Sequence, residues 1–269
     1  MKKIIFLILV LGVIGCGTLE QKDDLLRRIK KRQEAEIVEG DMHQLNKLPM
    51  VERLTYKVKY LGIPIATLVA SIKGTELVAG RRAYVFEVVA RTNKFFSKVF
   101  NVEDRYVSYM DVEHLYVLRH EESRREGNYK KDAIVDFDQI NHKAYFRHLL
   151  NGEEKVFNVP HAVQDALSAV YYYRMLPLLV GAVNEFEVNV DEVNYEFLGV
   201  VEKKKMMVVP AVGKIEVFVM RPYGVLDGKM VKKGRMWGYF TADQRRIPVQ
   251  AVIKTPIFGK ATITLQKIE

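Results

Sequence analysis

The most prominent feature of the chain is the alternation of apolar and polar residues along many short segments. In LTYKVKY, Leu54, Tyr56 and Val58 point to one side, while the residues between them are polar. AYVFEVVART and EFEVNVD repeat the pattern, and turn signals such as Asn151-Gly152 separate such segments. A period of two is typical of half-buried β-strands. So many strands with one polar face predict a mainly β protein, with an antiparallel rolled sheet or a barrel-like β-roll.

One segment, HAVQDALSAVYYYRMLPLLVG, lacks this alternation and is rich in helix-favouring alanine and leucine. Pro160 lies where a helix would begin, and Pro177 lies where it would end. We therefore predict one helix over about residues 160–176. Because apolar residues surround most of its circumference, we expect this helix to pack against the sheet or inside it.

Polar residues on the predicted helix raise a question of partners. Asp165 and Ser168 lie on one side of it, with Arg174 further along. Each unsatisfied polar group on a buried helix costs about 1–3 kcal/mol. We expect Asp165 to pair with an arginine and so lock the helix to the sheet, with Arg105 and Arg246 as candidates. The alternative is that Asp165 and Arg174 belong to a ligand-binding site.

The first residues have the pattern of an export signal. Lys2 and Lys3 precede an apolar run over residues 4–14, too short for a membrane-spanning helix, which needs about 20 residues. The run continues into VIGC, which resembles a bacterial lipobox and implies cleavage before Cys16 and diacylglycerol on its sulfur. Cys16 is the single cysteine of the chain. We therefore predict a lipoprotein whose acyl groups, palmitate among them, hold it on a membrane.

The sequence divides into a signal peptide (1–15), a charged tether (16–50) and a single β-rich domain (51–269). The tether has both charge signs and no aromatic residue. This composition favours a solvated spacer, and the alternative is that its basic residues contact lipid headgroups. Gly17 follows the cysteine, where an aspartate would look like an inner-membrane retention signal. By resemblance to sorted lipoproteins, we expect the periplasmic face of the outer membrane.

The charge of the chain adds a class of partner. The chain has 42 Lys plus Arg against 33 Asp plus Glu, which gives a formal charge of +9. This surplus suits an anionic lipid surface or an acidic glycan. The predicted compartment, more than the charge, excludes nucleic acid. The sequence indicates no protein partner.

Recognisable catalytic motifs are absent from the sequence: H-E-x-x-H, G-x-S-x-G, C-x-x-C and the phosphate-binding glycine loop do not occur. The six histidines form no helical i, i+4 pair, so we predict neither a metal site nor a cofactor. Alternating acids, as in EFEVNVD, are typical of a solvated strand face. Trp237 and Tyr239 share one strand face, and they are the aromatic residues favoured for stacking on a sugar ring or a lipid.

Several separated phrases resemble one bacterial family, known as domain of unknown function 3108. These phrases include VERLTYKVKYLGIPIATL, VQDALSAVYYYRMLPL and GRMWGYFTADQRRIPVQAVIKTPIFGKATITL, in that order. The resemblance covers about residues 51–269. It implies an exported, all-β protein with a rolled sheet, and it supplies no catalytic residues that could be transferred to this chain.

Together these observations predict a lipid-anchored periplasmic envelope protein that binds a glycan or a lipid and is not an enzyme. Three alternatives remain open. A carrier of lipids or lipoproteins, or an assembly factor, predicts a large apolar cavity that opens to solvent. An unrecognised hydrolase predicts convergent acids or a His–acid pair in a cleft with shifted pKa values. A structural scaffold predicts no concave site.

Overall fold

The computed structural model describes residues 22–24, 26–27, 45–231, 234–255 and 259–269 of the chain. Cys16 and the predicted signal peptide lie outside these residues, as does most of the predicted tether. Residues 22–24 and 26–27 are helical. Within the described ranges, no helix has both the length and the apolar composition that a membrane span requires.

The described part of the chain is built mainly from β-strands. Two helical elements interrupt them, a 3-10 turn at Phe96–Lys98 and helix α1 at Ala166–Met175. The strands are β1 Glu52–Tyr60, β2 Ile63–Val78, β3 Arg81–Thr92, β4 Glu103–Asp111, β5 Val117–Glu126, β6 Tyr129–Asp138, β7 Lys143–His148, β8 Glu154–Asn158, β9 Gln164–Asp165, β10 Val183–Val190, β11 Val193–Val209, β12 Gly213–Leu226, β13 Lys229–Val231, β14 Arg235–Thr241, β15 Pro248–Thr255 and β16 Gly259–Ile268.

All sixteen strands belong to one sheet, with the order β8-β7-β6-β5-β4-β3-β2-β1-β16-β15-β14-β12-β11-β10-β9, and β13 pairs with β12. Neighbours are antiparallel, except that β9 runs parallel to β10. The central pair is β1 with β16, in which Tyr56 faces Leu265. This pair joins an arm made of β2–β8 to an arm made of β9–β15. The predicted mainly β, antiparallel architecture is confirmed.

The alternation in the sequence corresponds to the two faces of the sheet. In β1, Leu54, Tyr56 and Val58 are at most 5% exposed, whereas Arg53 and Lys57, at alternate positions, are exposed. Side chains alternate between the two faces of a strand, so one face of β1 is apolar and the other is exposed to solvent. The same alternation in neighbouring strands gives the rolled sheet an apolar interior, most of it in one large cluster of buried side chains.

Helix α1 lies inside the roll and contacts both arms. The Tyr171 ring stacks on Phe86 of β3, with ring centroids 3.9 Å apart. The next residue, Tyr172, makes an edge-to-face contact with Phe186 of β10 at 5.0 Å. The prediction of one packed helix is therefore confirmed, and the apolar circumference of the helix is explained by partners on two sides.

The start of the helix differs from the prediction, since α1 begins at Ala166 rather than near residue 160. Ala162 has a φ of 54°, which a right-handed helix does not allow, and the two residues of β9 are extended. Asp165 is the N-cap, and its carboxylate accepts hydrogen bonds from Leu167 N (2.6 Å) and Ser168 N (2.8 Å). The helix ends before Pro177, as predicted.

The ends of the two arms meet through side chains. Lys155 of β8 forms an ion pair with Glu192 in the turn between β10 and β11, at 3.0 Å. Asn194 of β11 donates a hydrogen bond to the Asn158 carbonyl of β8, at 2.8 Å. Among the described strands no ladder joins β8 to β9. The sheet is thus open in its backbone pairing, and its ends are held together by side-chain contacts.

Candidate functional site: an apolar cavity beside helix α1

A cavity of about 220 Å³ lies between α1 and the inner face of the sheet. Both arms and the helix contribute to its wall, so the roll as a whole creates it. From the sheet, the lining includes Leu54, Tyr56, Leu68, Val88, Val188, Phe197, Met220, Phe240 and Ile263. From α1 it includes Ala166, Leu167, Ala169, Val170, Tyr171 and Tyr173. The surface offered to a ligand is therefore almost entirely apolar.

The cavity reaches solvent beside α1. Val170 lines it and is 42% exposed, whereas Leu167, one turn earlier on the same helix, is buried. A lining residue that also faces water marks a place where a ligand can enter. An elongated molecule therefore has a path into the cavity that leaves the sheet ladders intact.

Small residues on the inner face leave the space that forms the cavity. Gly238 of β14 and Ala251 of β15 face each other in the sheet, and both line the cavity. A Cβ atom at Gly238 would lie 3.0 Å from the Phe240 ring and 3.3 Å from the Met220 methyl group. These contacts are tighter than ordinary van der Waals packing. Larger residues at these positions would narrow the cavity from the sheet side.

A few polar groups lie at the apolar wall. The Tyr56 hydroxyl donates a hydrogen bond to the Pro248 carbonyl at 2.7 Å. The Tyr171 hydroxyl is buried and has no hydrogen-bond partner among the described residues. Burial raises the pKa of Tyr171 well above its ordinary value, so the phenol stays neutral.

A smaller polar pocket of about 60 Å³ adjoins the cavity, and Ala166 and Val190 line both. In it, His120 Nδ1 lies 3.4 Å from Asp165 Oδ2 and 3.4 Å from Ser108 Oγ. Burial lowers the pKa of His120, but the Asp165 carboxylate outweighs burial, so this pKa is raised.

This His–acid pair lacks the geometry of a hydrolase triad. A catalytic histidine uses one ring nitrogen for the acid and the other for the nucleophile. In His120 the contacts to Asp165 and Ser108 both involve Nδ1. The three side chains therefore do not form a relay from a nucleophile to an acid. Their arrangement instead fixes His120 against the N-terminal end of α1.

The expected pairing of Asp165 with an arginine is wrong. Arg105 Nε donates to Glu87 Oε1 at 2.8 Å, and Arg246 donates to the Leu176 carbonyl. Asp165 instead caps α1 and faces His120, because its carboxylate lies where the first backbone N–H groups of the helix need an acceptor. Its Oδ2 atom is buried and faces His120 Nδ1 at 3.4 Å. A ligand role for Asp165 stays a prediction.

Arg174 is buried completely and pairs with Glu52 of β1. Its two terminal nitrogens donate to the two carboxylate oxygens at 2.7 and 2.9 Å. A forked pair of this kind satisfies both charges and ties α1 to the centre of the sheet. With this pair formed, ligand binding by Arg174 stays a prediction that no contact in the cavity supports.

Trp237 and Tyr239 lie on the face of β14 opposite the cavity, since the alternate residues Met236, Gly238 and Phe240 line it. Both rings are half-buried. Cationic groups lie over both rings.

The Trp237 ring has the Arg221 guanidinium at 5.5 Å and the Lys254 ammonium at 5.7 Å, and Lys205 lies 4.6 Å from Tyr239. A role for these rings in ligand binding stays a prediction, and it would concern the face of β14 opposite the cavity.

The described residues hold no cluster of three or more metal-ligating side chains.

The small inward-facing residues are the part of the site that the sequence analysis missed. Ala70, Gly238 and Ala251 occupy inward positions of three strands, where bulky residues usually fill a core. In the sequence, the alternation of small residues with larger ones at inward positions was the signal that could have indicated a cavity. It becomes a cavity only when strands far apart in sequence are brought around α1.

Comparison with solved structures finds several proteins that are similar in fold, among them the following three. The β-barrel-like protein of domain of unknown function 1849 from Brucella abortus has a TM-score of 0.56 at 10% identity, covering 83% of this chain and 98% of that one. An exported-protein candidate with a YmcC-like fold from Bacteroides fragilis has a TM-score of 0.34 at 8% identity, with coverages of 84% and 99%. A candidate lipoprotein from Parabacteroides distasonis has a TM-score of 0.33 at 7% identity, with coverages of 86% and 100%. The first likeness concerns the fold alone, and the other two are too weak to carry an argument.

None of the curated proteins matches the sequence. The model of one family, described as a protein of unknown function (DUF3108), matches residues 55–266. This match spans the rolled sheet from β1 to β16, including α1 and the cavity. The chain therefore belongs to the DUF3108 family.

Proposed function

We propose that this chain is a lipid-anchored envelope protein that binds the acyl chain of a lipid in the cavity beside α1. In this role it holds or carries the lipid and does not catalyse a reaction on it. The His–acid pair that a hydrolase would need is present in His120 and Asp165, but without a relay to a nucleophile. The apolar cavity open to solvent that a carrier requires is present in the described residues without such a defect. A glycan-binding site would instead call for exposed, unobstructed aromatic faces.

The observation that carries this proposal is the nearly complete apolar lining of a cavity of about 220 Å³. For comparison, an engineered apolar cavity of about 150 Å³ stays dry and binds benzene. Each methylene moved from water into such a site contributes about 0.8 kcal/mol. A segment of acyl chain fits both the chemistry of the wall and the mouth at Val170.

The proposed location rests on the sequence. The VIGC motif supports lipid attachment at Cys16, and Gly17 supports sorting to the outer membrane, facing the periplasm. A protein held there by its own acyl groups is surrounded by lipids at high local concentration. A modest affinity for one acyl chain then suffices for function.

The proposal is tested by measuring how fatty acids of increasing length displace a fluorescent apolar probe from the mature protein. We expect affinity to rise with chain length until the cavity is filled. Ala251→Phe places a ring in the cavity, and we expect it to weaken binding by about tenfold, the equivalent of two lost methylenes. Ala70→Phe, from the other arm, gives a second filling variant.

Ala79→Phe is the matched control, because it makes the same change at an exposed turn between β2 and β3. We expect its affinity to equal that of the wild type, and Trp237→Ala to have no effect. Unchanged binding in both filled variants would refute the proposal. Glycan binding that Trp237→Ala abolishes, without acyl binding, would replace it with recognition at the outer face.

A further inference from the structure

Several turns come together at one end of the roll. Antiparallel strands place the β1–β2, β3–β4 and β15–β16 connections on the same side, and hydrogen bonds join them. Asn93 N donates to the Ile65 carbonyl at 2.9 Å, and Leu61 N donates to the Lys260 carbonyl at 2.9 Å. The connections therefore form one continuous surface, which we name the apolar end.

Large apolar side chains project from this surface. The exposed fractions are 62% for Leu61, 56% for Ile63, 73% for Phe95 and 81% for Val99. Single exposed apolar residues are common on soluble proteins, but a cluster on adjoining turns marks an interaction surface. Leu61 lies in the β1–β2 connection, and Ile63 begins β2. Phe95 and Val99 lie in the β3–β4 connection, which Asn93 ties to β2.

The local structure holds Phe95 outward. The Asn93 Oδ1 atom accepts hydrogen bonds from Phe95 N at 3.1 Å and Phe96 N at 2.9 Å. These bonds fix the turn that leads into the 3-10 helix Phe96–Lys98. The Phe95 ring makes an edge-to-face contact with Phe96 at 5.3 Å. The exposed ring is thus fixed by its own turn.

Positive charges without acidic partners surround the apolar residues. Four exposed lysines lie on these connections or on the strand ends next to them, and none forms an ion pair within the described part of the chain: Lys59, Lys94, Lys98 and Lys260. The nearby exposed acid Glu103 is already paired with Arg91 at 2.7 Å. The apolar end therefore presents an apolar centre with a positive rim.

We propose that the apolar end docks on an anionic lipid bilayer. Phe95 and Val99 enter the boundary between headgroups and acyl chains, and the lysines contact the phosphates. Apolar residues framed by lysines are typical of surfaces that lie in the membrane interface. This docking is a contact in addition to the lipid anchor, and it does not depend on what the cavity binds.

The path of the N-terminal segment supports this orientation. Lys22 N donates to the Gly228 carbonyl at 3.4 Å, and the Lys22 ammonium pairs with Glu185 and Glu196. Gly228 lies in the β12–β13 turn, at the same end of the roll as Leu61. Lys22 is six residues from Cys16 in the sequence. Lys22, the described residue nearest to Cys16 in the sequence, is therefore tied to the end of the roll that carries the β1–β2 connection, whereas β1 begins at the other end.

The test uses one tryptophan as a depth probe in the full-length mature protein, in a Trp237→Phe background. Val99→Trp places it on the apolar end, and Ile140→Trp places it in the β6–β7 turn at the opposite end. The wild-type residues are 81% and 79% exposed, so the two changes are matched. The proteins are added to vesicles of phosphatidylethanolamine and phosphatidylglycerol with brominated acyl chains, and the mass of the N-terminus is measured first.

We expect brominated lipid to quench the fluorescence of the Val99→Trp protein by about twofold or more and to leave the Ile140→Trp protein unchanged, as insertion of only one end requires. Equal quenching at both positions, or none at either, would overturn the proposal. A protein with an unmodified N-terminus that still shows quenching only at position 99 would support docking and count against the anchor. The experiment therefore tests the docking of the apolar end and the lipid anchor at Cys16 independently.

The lysines give a second, quantitative test. Each lysine near an anionic surface strengthens binding by about fivefold, so Lys94→Gln with Lys98→Gln should lower the docked-to-free ratio by about twenty-five-fold. Lys143→Gln with Lys214→Gln removes the same charge from exposed positions at the other end. We expect no change from that control pair. An equal loss in both pairs would indicate a general charge effect and contradict a docking surface.

Discussion

At the scale of single residues, the ion pair between Glu52 and Arg174 links α1 to the central strand β1. The Arg174 side chain has no exposed surface and that of Glu52 is 8% exposed. Burial disfavours the charged guanidinium, but the two hydrogen bonds that Arg174 donates to Glu52 outweigh it, so the pKa of Arg174 is raised. Removing one partner would leave the other charge buried alone, which is far more costly than removing both.

We predict that Glu52→Gln lowers the free energy of unfolding by about 3–5 kcal/mol, measured by urea denaturation, because the Arg174 charge loses its counterion. The double change Glu52→Leu with Arg174→Met should recover most of this loss. A double variant as unstable as the single one would contradict this account of the pair.

Glu103→Gln is the control for this prediction. It breaks the Arg91–Glu103 pair, which also has a 2.7 Å separation but whose side chains are more than half exposed. Exposed pairs contribute at most about 1 kcal/mol. A similar loss in both single variants would show that burial does not determine the cost.

At the scale of elements, the capping carboxylate of Asp165 determines where helix α1 begins. The helix begins after Asp165, whose carboxylate accepts from two backbone N–H groups, and Pro160 lies in the connection between β8 and β9. His120 of β5 contacts the same carboxylate from the other arm. The protonation of His120 is therefore coupled to the position of the helix and to the wall of the cavity.

We predict that stability falls as pH rises from about 6 to 8 and that His120→Gln removes part of this dependence. The pKa of His120 is raised in the folded protein, so its stabilising effect is complete below the unfolded value of 6.5 and is lost as pH rises through the folded value. Urea denaturation across this range measures the effect. Glu122 and Lys131 also face His120, and both remain in the variant.

A second group changes stability in the same direction. Burial raises the pKa of the Asp104 carboxyl to about 6, so its protonated form also favours the fold at low pH. Asp104 is present in both proteins, and the difference between wild type and His120→Gln isolates the histidine. Equal pH slopes in the two proteins would rule out the coupling between His120 and α1.

At the scale of the whole molecule, the roll is closed by contacts that are not sheet ladders. Gln139 lies in the turn after β6, and its amide donates to the carbonyls of Val117 at 2.7 Å and Val163 at 3.2 Å. Val117 N in turn donates to the Val163 carbonyl at 3.2 Å. These bonds connect the start of β5 to the segment that leads into β9 and α1.

We predict that Gln139→Leu speeds hydrogen exchange at the Val117 amide and lowers the free energy of unfolding by about 1–3 kcal/mol, since two buried carbonyls lose a donor. Exchange measured by mass spectrometry or NMR tests this. Gln266→Leu is the control, because its amide bonds only to neighbouring carbonyls of β16. Unchanged exchange at Val117 would show that Gln139 does not hold the ends together.

The sequence by itself determined the strands, the existence of one packed helix and its end before Pro177, because these depend on residue period and local backbone restrictions. Only the tertiary structure decided the partner of Arg174, which lies 122 residues away, and the outward orientation of Trp237 and Tyr239. It also decided the cavity, since alanines and glycines from several strands form one wall only after the sheet has rolled around α1. Periodicity acts between neighbours in sequence, whereas pairing, strand faces and empty volume arise from contacts between distant segments.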